Sequence, residues 1–308
     1  MKPKFVLGAL GLLFLSLCIG VAIAYWQHST GAEFASPKEA VDQLVKSIRS
    51  DDLDTLHVIL GPDSGIVIHS GDPVADRHAR RQFIAAYDAH QQLTPIDSSH
   101  VLLLIGKDNF RFPIPLVKNA SGRWFFDTVA GRDEIRARRV GRNELYTIQA
   151  CKAYVDAQRE YASVNRGDGV LDYAQHFFST AGARDGLYWP VKQGEPPSPL
   201  GRLAADAEAR GYALGPHAKP HPFNGYYFHI LKAQGWSARG GAYNYVAYGK
   251  MIGGFALIAY PAKYRASGIM TFIVNQDGVV YQRDLGPNTD VIAEKITEFD
   301  PGPGWTRA

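Results

Sequence analysis

An amphipathic helical pattern in the middle of the chain constrains the fold most, because the segments before and after it follow other patterns. Its apolar residues recur at the three- and four-residue spacing of one helix face. The pattern stops at Asn-Arg-Gly-Asp-Gly, where glycines suit a helix end. The stretch 141–169 therefore predicts a long helix, beginning as early as Arg132, that opens the second half of the chain. The residues of this stripe are Leu145, Ile148, Cys151, Val155 and Ala162.

The first half combines helical patterns with a short run of strands. Ser36, Pro37 and Glu39 form a helix start, with a capping serine, a proline at the first helical position and a capping-box glutamate. Further helical patterns precede a buried strand pattern at 101–106. A proline-containing strand pattern then turns back at Asn119–Gly122. This order predicts an α+β domain over residues 34–131.

The second half places an antiparallel sheet after the long helix. Loops rich in glycine and proline occupy 185–201, and a short helical pattern runs to Gly211. From Asn224 onward the chain reads as strands, with a hairpin turn of the Asp-Gly kind at 275–278. We therefore predict a second α+β domain over 132–308, in which the long helix packs on the sheet.

The N-terminus has the pattern of an export signal. Lys2 and Lys4 precede an uncharged run from Phe5 to Trp26, and Ala22 with Ala24 forms a small-residue cleavage site. We predict a signal peptide over residues 1–24, a linker over 25–33, and a periplasmic or secreted body. The alternative is an uncleaved inner-membrane anchor with the body in the periplasm, since residues 5–26 are long enough to span a bilayer.

Charge and cysteine content narrow the function classes. The formal net charge of +3 over 308 residues gives no electrostatic case for a nucleic-acid partner. Two cysteines occur, and cleavage of the signal would leave Cys151 alone, so no intramolecular disulfide is expected. Cys151 is interpreted as a small buried side chain within the long helix.

No sequence motif of nucleophilic, metallohydrolase or nucleotide-binding chemistry occurs, so no catalytic residue is assigned. The enzymatic alternative requires a deep pocket in the first domain where several polar side chains converge. The candidates for that pocket are His57, His69, Asp72, Tyr87 and Asp88.

A calcium site is the alternative reading of the helix end. Asn165, Asp168 and Asp172 offer hard oxygen ligands among glycines that permit a sharp turn. Their spacing does not match the EF-hand loop, and a helix stop followed by a polar loop explains the same residues. No cofactor is therefore expected, with calcium as the alternative.

Aromatic residues of the second half are the candidate partner-binding residues. Tyrosines on strands present rigid amphipathic area to a partner when they face outward, and they pack a core when they face inward. Both interpretations remain open from the residues alone. The candidates are Tyr188, Trp189, Tyr226, Tyr227, Tyr243 and Tyr245.

Several stretches spread over nearly the whole chain resemble a bacterial family, domain of unknown function 2950. They include FASPKEAV, HSGDPVADR, FPIPLVK, RWFFDTVAGRDEIRARRVGRNE, RDGLYWP, GEPPSPLG, GYYFHIL and TFIVNQDGVVYQRDLGP. This resemblance implies membership of that family and no particular activity.

Two looser resemblances concern the halves. The helices and the sheet ending in RWFFDT resemble the cone-shaped NTF2-like fold. The second half is similar to the head of a type IV pilin or pseudopilin, in which a helix packs on an antiparallel sheet. The matching positions are Asn143, Glu144, Ile148, Ala157, Gln158 and Tyr161 on the helix, and Phe272, Asp277, Gly278 and Val279 on the sheet.

Together these observations predict an exported cell-envelope protein that acts as a non-catalytic binding or assembly module, with another envelope protein as its expected partner. One alternative is an enzyme with a pocket in the NTF2-like domain. The other is a filament-associated, pseudopilin-like subunit. A globular half stands between the N-terminal apolar segment and the long helix, which is the arrangement least suited to a filament.

Overall fold

A computed structural model describes residues 31–166 and 169–308 as helices and antiparallel sheets around two hydrophobic cores. The predicted α+β class is confirmed. None of the helices in this described part is long and apolar enough to cross a membrane. The predicted signal or anchor and most of the linker lie outside the described residues.

The first half begins with helices and ends in a small sheet. The helices are α1 (Pro37–Arg49), α2 (Leu53–Leu60), a 3-10 turn (Pro62–Ser64), α3 (Gly65–Ile68) and α4 (Pro73–Ala89). The strands are β1 (Gln91–Pro95), β2 (His100–Ile105), β3 (Phe110–Arg111), β4 (Leu116–Lys118) and β5 (Trp124–Phe126). The antiparallel sheet has the order β1-β2-β4-β5, and β3 pairs with β2.

Side chains fill the space between these helices and the sheet. The start of α1 forms as predicted, because the Ser36 side chain accepts a hydrogen bond from the Glu39 amide. The inner face of α1 then packs on the sheet through apolar residues that are almost wholly buried, among them Leu44, Leu103 and Phe126. The interior of this domain is therefore a packed core.

A single helix, α5 (Thr128–Ala162), joins the two halves. Asp127 caps its start by accepting a hydrogen bond from the Ala130 amide. Its first turns belong to the first half, since the Thr128 hydroxyl donates to the Leu60 carbonyl at 2.7 Å and the Arg139 guanidinium donates to the carbonyls of α3. Its last turns belong to the second core. The helix therefore begins at Thr128, before the earliest predicted start at Arg132, and it crosses the predicted domain boundary at residues 131 and 132.

The second half contains α6 (Gly201–Arg210), a larger sheet and α7 (Thr289–Ala293). The main sheet has the order β14-β13-β12-β11-β6, all antiparallel. Two short pairs, β7 with β8 and β9 with β10, extend beside it. The strands are β6 (Tyr226–Leu231), β7 (Ala233–Gln234), β8 (Tyr243–Asn244), β9 (Val246–Ala247), β10 (Lys250–Met251), β11 (Ala256–Pro261), β12 (Met270–Asn275), β13 (Tyr281–Asp284) and β14 (Thr306–Arg307).

Polar side chains of α5 fix the helix on this sheet. Glu144 accepts hydrogen bonds from the amides of Ile269 and Met270, at 2.8 and 3.0 Å, where β12 begins. The Asn143 amide group donates to the Ser267 carbonyl. Further along, the buried Gln158 side chain donates to the Ala174 carbonyl and accepts from the amide of that residue. The bonds of Asn143 and Glu144 hold the helix at the start of β12, and those of Gln158 hold the irregular chain at Ala174 against its later turns.

One predicted member of the helix stripe is wrong. Leu145 is 68% exposed, and the buried face at that level is formed by Asn143 and Thr147. The hydroxyl of Thr147 donates to the Asn143 carbonyl, so its polar group is satisfied within the helix. A stripe defined by apolar residues alone therefore placed the buried face of α5 wrongly at Leu145, because the buried residues at that level are polar.

A buried carboxylate links the two halves at a second place. Asp72 caps α4 through its Oδ1 atom, which accepts from the amides of Val74 and Ala75. Its Oδ2 atom accepts from the Tyr212 hydroxyl at 2.7 Å and from the Gly225 amide at 2.9 Å. Gly225 has a φ of +80°, a conformation that favours glycine. The carboxylate is only 1% exposed, and both its oxygens have partners.

Two glycines of α5 should respond in opposite directions to alanine. A Cβ at Gly141 would meet nothing within 4 Å, so Gly141→Ala should raise the free energy of unfolding by about 0.5–1 kcal/mol. A Cβ at Gly131 would lie 2.7 Å from Ile114 Cα, so Gly131→Ala should lower it by about 1–3 kcal/mol. Urea denaturation measures both, and a destabilising Gly141→Ala would show that α5 needs a flexible point there.

Removal of the Asp72 carboxylate should weaken the link between the halves. Asp72→Ala leaves the Tyr212 hydroxyl and Gly225 amide without their acceptor, so the free energy of unfolding should fall by about 3 kcal/mol. Asp52→Ala is the matched control, because Asp52 also caps a helix but lies at the surface. Equal losses in urea denaturation for the two variants would contradict the role of Asp72 as a link.

Candidate binding groove

The six predicted aromatic residues separate into three groups. Tyr226 and Tyr245 are fully buried, and their hydroxyls donate to Met270 O and to the Gln234 side chain. Burial raises the pKa of both hydroxyls. Tyr243 is partly exposed at the β7–β8 pair. Tyr188 and Trp189 lie in the irregular chain after α5, where Trp189 is near Arg166 and Arg184, and Tyr227 lies in β6 beside Tyr260.

Tyr188 and Tyr227 line a groove of about 590 Å³ in the second half. That volume lies in the range of small-molecule ligand pockets. The floor comes from α5 through Ala150 and Tyr154, and one wall comes from α6 through Leu203. The other parts of the wall are irregular segments and strand β6. Their larger apolar members include Phe177, Phe178, Leu214, Phe223, Phe228 and Ile230.

The apolar side of α6 explains why this wall stands where it does. Ala204 and Ala207 are buried, so their small side chains let the helix lie close to its neighbours. The helix ends at Gly211, which has a φ of +99° and directs the chain back over the groove. The returning segment is held by Tyr212, whose hydroxyl bonds to Asp72. The contact between the halves therefore also positions one wall of the groove.

The polar groups lining the groove are cationic or neutral. No aspartate or glutamate belongs to its described lining, whereas Lys219 does. Three histidines also line it: His176, His221 and His229. The His221 ring lies between two carbonyl acceptors, Pro222 O and Ala213 O. The groove therefore pairs an apolar interior with a rim that favours a negatively charged group.

Strand β6 forms the edge of the main sheet, and its outer edge faces this groove. Ala262 and Gly225 are opposite residues, and the Ala262 amide donates to the Gly225 carbonyl. Hydrogen-bonded and non-hydrogen-bonded pairs alternate along an antiparallel ladder, so Tyr227 and His229 are the next residues of β6 that bond to β11. The amides and carbonyls of Phe228 and Ile230 consequently point away from β11. In the described residues, no turn, loop or side-chain group bonds to those four atoms.

The outer edge of β6 is paired on both sides of this opening. Tyr226 exchanges two backbone hydrogen bonds with Phe223. Beyond the opening, the Lys232 carbonyl accepts from the Tyr245 amide at 2.8 Å. The chain thus covers its own strand edge before and after Phe228–Ile230 and leaves that short stretch open. Four consecutive residues, 227–230, line the groove.

The candidate groups of the first domain do not form one site. His57 and His69 contact each other through their Nε2 atoms at 3.1 Å, and His57 Nδ1 meets the hydroxyl of Ser64, which is fully buried. Asp72 is occupied in the link between the halves, as described above. Tyr87 and Asp88 lie near the end of α4, where Asp88 pairs with Arg49. These five side chains do not converge on a common cavity.

The calcium prediction falls partly outside the described residues, because Asp168 lies there. Asn165 is exposed and Asp172 is half-buried. Among the described residues, no group of three or more histidine, cysteine, aspartate or glutamate side chains is placed to hold a metal. Calcium binding stays a prediction.

Cys151 lies on the inner face of α5 and is fully buried. Burial raises the pKa of its thiol to about 12, because the thiolate would lose its hydration. Its surroundings agree with the packing role that the sequence indicated.

Sequence reasoning missed most of the groove. Phe177, Phe178 and Leu214 lie in irregular chain, where no helix or strand period marks a buried or exposed side. It also missed Trp236, which is 84% exposed in the loop after β7. Within the stretch 173–223 the regular structure is confined to α6, so no local period could have identified these residues.

A family model described as Protein of unknown function (DUF2950) matches residues 31–308. The chain belongs to the DUF2950 family. No curated protein and no solved structure gives a significant match to this DUF2950 protein. The pilin-like and NTF2-like resemblances of its halves therefore stay predictions. The family match covers both cores and α5 together, in agreement with the continuous helix that joins them.

The alternation of hydrogen bonds along β6 predicts different effects of proline at adjacent positions. His229→Pro removes an amide that pairs with Ile258 in β11, so it should destabilise by about 1–3 kcal/mol relative to His229→Ala. Ile230→Pro removes an outward amide and should cost less relative to Ile230→Ala. Urea denaturation of the four variants gives the comparison. A larger proline cost at Ile230 than at His229 would contradict the assigned edge.

Proposed function

We propose that this DUF2950 protein is an exported component of the bacterial cell envelope that acts as a non-catalytic binding module. Its binding site is the groove between α5, α6 and the outer edge of β6. The observation that supports this proposal most is an apolar groove of about 590 Å³ with partly exposed aromatic walls. Groups of partly exposed apolar side chains of this kind mark interaction sites more often than isolated ones do.

The export part of the proposal rests on the N-terminal sequence. Lys2 and Lys4 precede the uncharged run Phe5–Trp26, which is the order found in secretory signals. Either a cleaved signal or a retained anchor places the groove outside the cytoplasm. Its partner is then another envelope component, and the nearly balanced net charge of +3 argues against nucleic acid.

Binding has more support than catalysis in the arrangement of side chains. The described lining of the groove includes histidines and one lysine but no aspartate or glutamate that could serve as a general acid or base. In the first domain, Ser64 is the hydroxyl that contacts His57. This hydroxyl is buried and donates to the Gly61 carbonyl, so a substrate would have no access to it.

The binding function can be tested by photo-crosslinking in the native envelope. A photoreactive residue at Leu203 would face the groove, whereas one at Arg202 on the same helix would face solvent. We expect a defined crosslinked species from position 203 and none from position 202. Ala207→Trp places a large side chain at the buried groove wall. Combined with the crosslinker at position 203, it should abolish the crosslinked species.

Two controls make that result interpretable. Circular dichroism and urea denaturation of the Ala207→Trp protein establish that it remains folded, and Ala205→Trp on the exposed side of α6 is the matched substitution. Equal crosslinking from positions 202 and 203, or an undiminished species with Ala207→Trp in a folded protein, would contradict the groove as the binding site.

A further inference from the structure

We infer that the groove receives an extended peptide segment of a partner protein, which adds as a strand to the outer edge of β6 at Phe228–Ile230 and places apolar side chains in the groove and a carboxylate at its rim. This inference rests on the proposed binding function and specifies its ligand. Strand addition of this kind draws affinity from backbone hydrogen bonds and specificity from pockets for alternate side chains.

The backbone of β6 supplies the first part of the argument. Phe228 and Ile230 each direct an amide and a carbonyl into the opening, two residues apart. That spacing is the one that a neighbouring antiparallel strand uses for its own hydrogen-bonded pairs. An uncovered edge invites pairing with another chain, and proteins ordinarily cover or charge it. Here the chain covers the edge at Tyr226 and at Lys232 but not between them.

The groove supplies the second part, because it provides space for the side chains of an added strand. Successive side chains of a strand point to opposite faces. On one face they would lie beside Phe228 and Ile230, above the α5 floor at Tyr154. On the other they would lie beside Tyr227 and His229. The first of these positions is apolar, so the segment should carry apolar residues at alternate positions.

Charge supplies the third part. Lys219 has no carboxylate among the described lining residues to balance it, and the three groove histidines supply polar ring nitrogens. An aspartate, a glutamate or a C-terminal carboxylate next to the apolar residues would complement this rim. A segment rich in lysine or arginine would be disfavoured by the same groups.

A peptide fits this site better than an acyl chain because it can bond to the open backbone groups of β6. An acyl chain could fill the apolar groove, but it would shield four backbone groups from water without bonding to them. Each polar group left unpaired in an apolar environment costs about 1–3 kcal/mol. A peptide backbone satisfies the same groups. Free laurate, an anionic acyl chain, is therefore the comparison ligand.

The test uses the full chain expressed with its own N-terminus and a pool of short synthetic peptides. Alternate positions of the peptides vary among Val, Ile, Leu and Phe, the intervening positions are Thr, and the C-terminus is Asp-Asp with a free carboxylate. Fluorescence anisotropy selects binding peptides, and amide hydrogen exchange resolved by NMR then reports on β6. We expect the amides of Phe228 and Ile230 to become protected while that of His229, already paired with β11, changes little.

Variants separate the backbone from the side chain. Ile230→Pro removes the outward amide, and Ile230→Ala removes most of the side chain but keeps that amide. We expect Ile230→Pro to weaken peptide binding at least about tenfold more than Ile230→Ala does, since loss of about 1.4 kcal/mol corresponds to a factor of ten. A peptide N-methylated at the amides that face β6 should lose binding, whereas one N-methylated at the other edge should keep it.

The remaining outcomes overturn the inference and differ in what they leave standing. Binding of laurate without binding of any peptide would show that the ligand is an anionic amphiphile, which contradicts the peptide but leaves the proposed binding function standing. Peptide binding without protection of the Phe228 and Ile230 amides would contradict strand addition. Protection that appears on concentrating the protein alone, with dimers in ultracentrifugation, would identify a second copy as the occupant. No ligand in solution and no crosslink at position 203 in the envelope would overturn both the inference and the proposed function.

Discussion

The structure depends on one helix that serves two hydrophobic cores. The first turns of α5 are tied to the carbonyls of Leu60 and α3, and its last turns lie beneath the main sheet. Glu144, near its middle, accepts two amides at the start of β12. A continuous helix transmits position along its length because each backbone hydrogen bond constrains the next turn. The two halves of the chain are therefore parts of one assembly, and the buried Asp72 link closes that assembly at a second point.

The groove follows from this arrangement. The sheet ends at β6, the irregular chain after α5 cannot continue it, and α6 returns at a distance set by its buried alanines. Tyr212 then ties the returning segment to Asp72 in the first half. The open edge of β6 therefore lines a groove whose other lining residues come from α5, α6 and the irregular chain between α5 and β6. If the groove binds a ligand as proposed, that ligand need not order the protein first.

Sequence patterns predicted the elements more successfully than the site. The start of α1 at Ser36–Pro37, strand β2 and the strand-rich character of the chain after Asn224 all have local signals, namely caps, apolar runs and turn residues. Leu145 was misplaced because the buried face of α5 includes polar residues that are satisfied by hydrogen bonds. Whether a strand tyrosine faces inward depends on register, so Tyr226 and Tyr227 could not be told apart in advance. The groove is assembled from residues far apart in sequence, many in irregular chain, and no local period reports on such an arrangement.

The role of α5 as a common spine is tested most directly by native-state amide hydrogen exchange across its middle, from Arg139 to Tyr146. If the helix holds both cores together, these amides exchange only through global unfolding, with the same free energy of opening as the central strand β12. Gly141, which has open space around it, is the point where a hinge would lie. A free energy of opening for residues 139–146 that is markedly lower than that of β12, while both cores remain protected, would show two domains joined by a flexible connection and would contradict this account.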